Sequence, residues 1–315
     1  MTATETCRDT DCILENADLV LPGGVLEAGS LRIEEGRIAA VRGGAIDGRG
    51  RRIDARRRTL LPGFIDLHSD AIEKQIQPRP GGAFPTEMAL VELDKSLAAC
   101  GITLICHCLC FTDSRVDSIR GNDRAADLIR EVNRLAPTLR VHTRVHARYE
   151  ITDPSALPLL ERLLGAGEIH IFSLMDHTPG QGQFTEIENF RTYYGGSRNL
   201  TGEQIDRLIE ERTAARARLE MDAIARLTAT ARDRGIPIAS HDDDTPAKVA
   251  YMGELGVTIS EFPVRLDAAQ AARKAGMHVL MGAPNLYRGA SLTGNLGARE
   301  AVREGVCDML GSDYA

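Results

Sequence analysis

The sequence predicts a TIM-like (β/α)8 barrel preceded by a small β unit, on three observations. Eight short apolar runs alternate with helical patterns from Phe64 onward, the alternation that an eight-stranded parallel barrel requires. Several of those runs end on His, Asp or Glu, as strands do where a barrel builds a reactive mouth at their carboxyl ends. The first run, Phe64–Leu67, is not followed by the glycine-rich turn that an open dinucleotide-binding sheet needs.

Taken in order, residues 13–59 read as short strands broken by turns. Asp18–Leu21, Ser30–Ile33 and Arg37–Val41 are separated by Pro-Gly-Gly and Glu-Glu-Gly, which predicts a small antiparallel unit, half of a composite β-sandwich. A partner half is not found further along, and the chain stops at Ala315 without an eighth helix. The expectation is therefore a fragment, or a chain whose remaining parts are supplied otherwise. The boundaries expected are 1–60 for the β unit and 61–315 for the barrel. Its strands are predicted at Phe64–Leu67, Ile102–Cys108, Leu139–Ala147, Ile169–Met175, Ile236–Ser240, Val257–Phe262, His278–Met281 and Cys307–Leu310. Helix ends are legible between them. Asp153 with Pro154 opens one helix that Gly165 closes, and Thr245-Pro246 opens another that Gly256 ends. Thr201 and Gln204 form a capping-box pattern at the start of a long helix ended by Gly235.

Composition sets bounds on function. At 315 residues, 43% hydrophobic and 26% charged, the chain suits one large barrel with an appendage. A net charge of −7 argues against non-specific nucleic-acid binding. There are 34 arginines to four lysines. Genome composition accounts for most of them, yet guanidinium is also well suited to phosphate. Neither a signal-peptide pattern nor a bilayer-length apolar stretch is present, and the seven cysteines are too unevenly spaced for a disulfide framework. A cytoplasmic protein without nucleic-acid or membrane partners is expected; a homo-oligomer is compatible.

The chemistry-bearing positions follow the strands: His68 and Asp70, His107 to Cys110, Glu150, Asp176 and His177, His241 to Asp244, Glu261, Asn285 and Asp313. A lone histidine there is more often a hydrogen-bonded structural residue. His68-x-Asp70, His177, His241 and Asp313 at four separate strand ends make coincidence a poor account. Imidazole with carboxylate suits Zn²⁺, Mn²⁺ or Fe²⁺, and a pair of such ions activates water and neutralises a phosphoryl or carbonyl group. Arg144, His146, Arg148 and Glu150 fall on one face of one strand, polar enough to be functional. Glu261 reads equally as ligand, base or ion-pair partner, and Asp242 to Asp244 as a carboxylate run supporting His241. Cys106-His-Cys108-Leu-Cys110 is a decoy: alternate strand residues lie roughly 6.5–7 Å apart, beyond what two thiolates on one zinc allow. The cysteines read as small core residues, with His107 undecided. Phosphate-handling candidates are Lys74, Arg79, Arg144, Arg148, Lys248 and Arg288. The long loop from Pro179 to Gly196 is a lid candidate.

The stretches LPGFIDLHSDAIEKQIQPRPG, FSLMDHTPGQGQF, IPIASHDDDTP, VTISEFP, VLMGAPNLYRG and LGSDY resemble the amidohydrolase superfamily, and within it the PhnM proteins of the carbon–phosphorus lyase pathway. The resemblance covers the barrel nearly end to end, and His-x-Asp in place of His-x-His is fairly specific. It implies a metal-dependent hydrolase that converts α-D-ribose 1-methylphosphonate 5-triphosphate to the 5-phosphate and pyrophosphate, the phosphorylated ribose phosphonate being its substrate. It also implies two divalent ions, Zn²⁺ or Mn²⁺/Fe²⁺, held by His68, Asp70, Glu150, His177, His241 and Asp313. Glu150 would bridge them, and Asp313 would orient the attacking hydroxide and take its proton. One departure is Leu292 in Gly289-Ala-Ser-Leu-Thr-Gly-Asn295, where the family has histidine.

Two other readings compete. An amidohydrolase acting on a C–N bond would gain nothing from the basic set, and a catalytically weak PhnM-like subunit would accord with Leu292.

Overall fold

The computed structural model describes residues 11–79, 81–112, 121–197, 200–291 and 294–313; Leu292 lies outside the described residues. The chain divides into two compact units, Met1–Gly63 and Phe64–Ala315.

In the first unit, β1 (Cys12–Leu21), β2 (Gly24–Glu34) and β3 (Arg37–Gly43) form the antiparallel meander that the glycine-rich turns predict. The sheet is nevertheless mixed. β4 (Arg51–Asp54) and β5 (Thr59–Leu60) run parallel to β1 and pair with different stretches of it. Parallel neighbours are joined by long connections rather than tight turns, so no local turn signal marks them. Ile13, Ala17 and Leu19 of β1 are buried with Leu31 of β2.

The second unit is the barrel. Its strands are β6 (Phe64–Ser69), β7 (Ile102–Phe111), β8 (His142–Glu150), β9 (Ile171–Met175), β10 (Ile238–His241), β11 (Ile259–Glu261), β12 (His278–Gly282) and β13 (Met309–Gly311). They neighbour one another in chain order, parallel throughout. The last strand returns to the first: Asp313 N donates to His68 O at 2.8 Å, and Asp70 N to Asp313 O at 2.7 Å. This bridge nearly closes the barrel and sets the first and last strand ends side by side.

Alternation along β8 separates two environments. Val145, Ala147 and Tyr149 join the apolar layer beneath the helices, whereas His146, Arg148 and Glu150 are buried outside that layer. On β7, Ile105, Leu109 and Phe111 pack in the same layer. Cys106 packs with Ile171, Ala239, Ile259 and Leu280 in a separate plug. Burial pushes the Cys106 thiol up to about 12 and raises that of Cys108 as well, so both stay protonated, as small core residues do.

Helix ends follow the sequence with three differences. The Thr201–Gln204 capping box forms, with Thr201 N donating to Gln204 Oε1 at 2.8 Å. The single long helix expected there is two, Gly202–Arg216 and Met221–Asp233. Asp153 caps one tight turn, Pro154–Ala156, ahead of Leu157–Ala166. That helix ends at left-handed Gly167 (φ 73°), two residues beyond where Gly165 would have closed it. Thr245 caps Pro246–Glu254 as expected. Among the described residues no helix is long and apolar enough to cross a membrane.

His107 shares its strand face with Ile105 and Leu109, and neither ring nitrogen has a hydrogen-bond partner. Burial pulls it down from 6.5 to about 4, against the pull of Asp94. The unfolded chain therefore binds this proton below about pH 6.5 while the folded chain refuses it until about pH 4. Acidification through that window should cost on the order of 3 kcal/mol of stability at this residue. Urea midpoints at pH 7 and pH 4.5 should converge in His107→Leu relative to the parent; an unchanged pH dependence would refute the assignment.

Candidate active site

Parallel strands deliver their carboxyl-end residues to one mouth, here a cavity of about 480 Å³. At it, three histidines each engage a carboxylate through Nδ1. His68 pairs with Glu261 Oε1 at 2.9 Å, His177 with Glu150 Oε2 at 2.8 Å, and His241 with Asp242 Oδ2 at 2.7 Å. A carboxylate only accepts, so these partners assign the proton to Nδ1 and turn each Nε2 outward. His68 Nε2 is buried with no hydrogen-bond partner, 3.7 Å from Asp313 Oδ1. His177 Nε2 lies 3.6 Å from Asp242 Oδ2.

The electrostatics follow from the pairing. Burial alone would discharge His177, yet Glu150 and Asp242 beside it raise its pKa. Burial would likewise protonate Asp242, but His241 and His177 hold it well below the carboxylate range. Glu261 is also depressed: burial is outweighed by His146 and His68. The backbone is strained at the same place. Asp242 (φ 53°), Phe262 (φ 51°) and Asp313 (φ 66°) all adopt the left-handed conformation just past β10, β11 and β13, at about 1–3 kcal/mol each.

The donors fit a divalent ion. Ligand atoms of His177, His241 and Asp242 lie within 4.8 Å of one another, with His241 Nε2 accepting from Arg148 Nη2 at 3.1 Å, and the unpartnered His68 Nε2 adds an imidazole lone pair beside Asp313. A second group, His68, Cys108 and His146, is less suited. Its thiol is held protonated by burial, although His146, whose Nδ1 donates to Leu67 O at 2.9 Å, keeps an unpartnered Nε2.

Of the residues singled out from sequence, Asp70, Lys74, Arg148, Glu150, His177, His241, Arg288 and Asp313 line this cavity. His68 sits fully buried beside it. Three basic candidates do not line it. Arg144 is exposed and pairs across to Cys106, four residues before Arg148 pairs to Cys110, or about 13 Å along the strand. Arg79 bridges Gly82 beyond the first strand. Lys248 lines a separate cavity, where Nζ donates to His241 O and Asp242 O at 3.0 Å. Strand period puts Arg144 on the right face but is silent about depth.

Tyr193 and Tyr194 of the lid candidate line the mouth from the Ile187–Ser197 helix, and Arg212, which nothing in the sequence singled out, lines it from Gly202–Arg216. Arg212 donates to His177 O at 3.1 Å and lies 5.3 Å over the Tyr194 ring. The lid-candidate loop is ordered: Phe184, Phe190 and Tyr194 pack with Ile205 in a cluster of their own. Its density of aromatics in a chain only 4% aromatic was the available signal.

No family model matches the chain. It is 39% identical over 313 residues to the alpha-D-ribose 1-methylphosphonate 5-triphosphate diphosphatase of Escherichia coli (strain K12), covering 96% of this chain and 80% of that protein. Among solved structures it is similar to an amidohydrolase at TM-score 0.57 and 15% identity, over 97% of this chain and 78% of the other. It is also similar to N-acetyl-D-glucosamine-6-phosphate deacetylase of Mycobacterium smegmatis at 0.57 and 16%, over 96% and 77%. Dihydropyrimidinase of Brevibacillus agri gives 0.57 and 13%, over 96% and 68%. At these identities the structural likenesses speak for the fold.

Glu261 accepts from His68 Nδ1 and, at 2.9 Å, from Ser173 Oγ, with His146 Nε2 at 3.6 Å. Glu261→Ala should therefore cost about 1.5–3 kcal/mol in urea unfolding of the metal-stripped protein, with Glu261→Gln recovering part of it. Equal stability of the alanine variant and the parent would show that the carboxylate does not organise the mouth.

Proposed function

Because the chain belongs to the alpha-D-ribose 1-methylphosphonate 5-triphosphate diphosphatase family, we propose that its barrel mouth hydrolyses that triphosphate to the 5-phosphate and diphosphate. The observation that carries the reading is one cavity lined both by the imidazole–carboxylate cluster and by Lys74, Arg148, Arg212 and Arg288. Anionic phosphoryl groups are held by fixed cations, for which guanidinium is well shaped. A neutral amide would gain nothing from four of them.

The residues divide the work. Asp313 is pinned on both sides, its peptide N–H and C=O bonded to His68 and Asp70, with its carboxylate half-exposed at the mouth. It is placed to accept the proton of a water molecule attacking phosphorus. The bond to the leaving diphosphate then breaks, and Lys74 and Arg288 balance its charge. His68 and His177 present Nε2 to the mouth, and His241 presents its Nε2 to Arg148, because Glu261, Glu150 and Asp242 hold the Nδ1 protons. A divalent ion, Zn²⁺ or Mn²⁺/Fe²⁺, would supply acidified water and charge for the phosphoryl oxygens. The reading keeps the expectation of a cytoplasmic enzyme without a nucleic-acid partner.

Diphosphate release from α-D-ribose 1-methylphosphonate 5-triphosphate after Mn²⁺ or Zn²⁺ loading tests the activity, beside a panel of nucleobases assayed for ammonia. Ammonia without diphosphate would transfer the chain to C–N chemistry. Asp313→Asn should leave metal content nearly intact and lower kcat by at least about 100-fold, whereas His68→Ala should lose metal. Full turnover by Asp313→Asn would remove the aspartate from its proton-accepting role.

A further inference from the structure

Arg148 is a buried cation inside a cluster that otherwise resembles a set of metal donors. Its side chain is 8% exposed, and its guanidinium spans two residues of that set. Nη1 donates to Asp70 Oδ1 at 3.1 Å and Oδ2 at 3.4 Å, and Nη2 donates to His241 Nε2 at 3.1 Å. The second contact is chemically exclusive. His241 gives its Nδ1 proton to Asp242, so Nε2 has one lone pair, and that lone pair accepts from Arg148. A metal ion at about 2.0–2.1 Å would need the same lone pair. Asp70, in turn, is neutralised by the guanidinium, which no accessible pH discharges.

We infer that Arg148 is a resident cation that closes the Asp70–His241 side of the mouth to metal, so that the chain takes up one divalent ion rather than two. Asp70 is then an anchor for the arginine and not a metal ligand. This revises the two-ion expectation drawn from sequence and rests on the metal-dependent reading of the mouth. The donors left to the single ion are His68 Nε2 and His177 Nε2, with Asp242 beside the latter, while Asp313, 3.7 Å from His68 Nε2, is left to the attacking water. Chemically, a fixed guanidinium supplies positive charge at the phosphoryl site without proton uptake and without a second ion. Its position is also coupled to His241, so the same residue that meets the phosphates restricts where an ion can sit.

The test is a metal count on the intact protein, by dialysis against Mn²⁺ or Zn²⁺ followed by elemental analysis. The parent should bind one ion per chain, and Asp70→Asn should still bind one. Arg148→Met, which keeps the length and apolar stem without the charge, should gain a second ion. Two ions in the parent, loss of the ion in Asp70→Asn, or a folded Arg148→Met that stays at one would each overturn the inference. Should Arg148→Met not fold, the parent and Asp70→Asn counts decide alone. A parent that holds one ion yet releases no diphosphate would instead sink the functional reading and leave the stoichiometry standing.

Discussion

A buried imidazole that donates one nitrogen to a carboxylate has only the other left to offer, and three histidines of this barrel are fixed in that way. Glu261, Glu150 and Asp242 come from, or directly follow, three different strands, β11, β8 and β10. Each aims the Nε2 of a histidine on its own or another strand. The carboxylates are buried, which would ordinarily protonate them, and the imidazoles are buried, which would ordinarily discharge them. Neither group is tolerable alone, and each makes the other so. His68 and His177 are raised and Glu150, Asp242 and Glu261 lowered, as that mutual dependence requires, whereas burial, with Arg148 beside it, leaves His241 lowered despite Asp242.

The strain at the mouth has the same origin. Three non-glycine residues take a left-handed backbone where β10, β11 and β13 end. In Asp242 and Asp313 the left-handed turn sets a carboxylate beside the imidazoles. Around the cavity the nearly closed sheet and its apolar outer layer supply the rigidity that holds such conformations in place.

Arg148 adds a further charge to this arrangement. A metal site built from acids and imidazoles normally leaves the neutralisation of carboxylates to ions. Here one carboxylate and one imidazole are instead engaged by an arginine of the same strand face as Glu150. The proposed substrate fits such a device, because a triphosphate demands more positive charge than a carbonyl substrate does.

The barrel was legible in the sequence because strand–helix alternation, caps and strand-end residues are local patterns. All eight barrel strands fall where the apolar runs place them, and His68, Asp70, Glu150, His177, His241 and Asp313 were visible because a parallel barrel gathers strand ends whatever their separation along the chain. The mixed character of the first sheet was not legible, since parallel pairing of β4 and β5 with β1 leaves no turn motif. Depth was not legible either: Arg144 and Arg148 share a face, and only their register with Cys106 and Cys110 separates the far end from the mouth. Residue types alone determined that acids, imidazoles and arginines would meet. Which nitrogen faces which oxygen, and that Arg148 takes the lone pair of His241, is decided by distances of a few tenths of an ångström that only the packed tertiary structure contains.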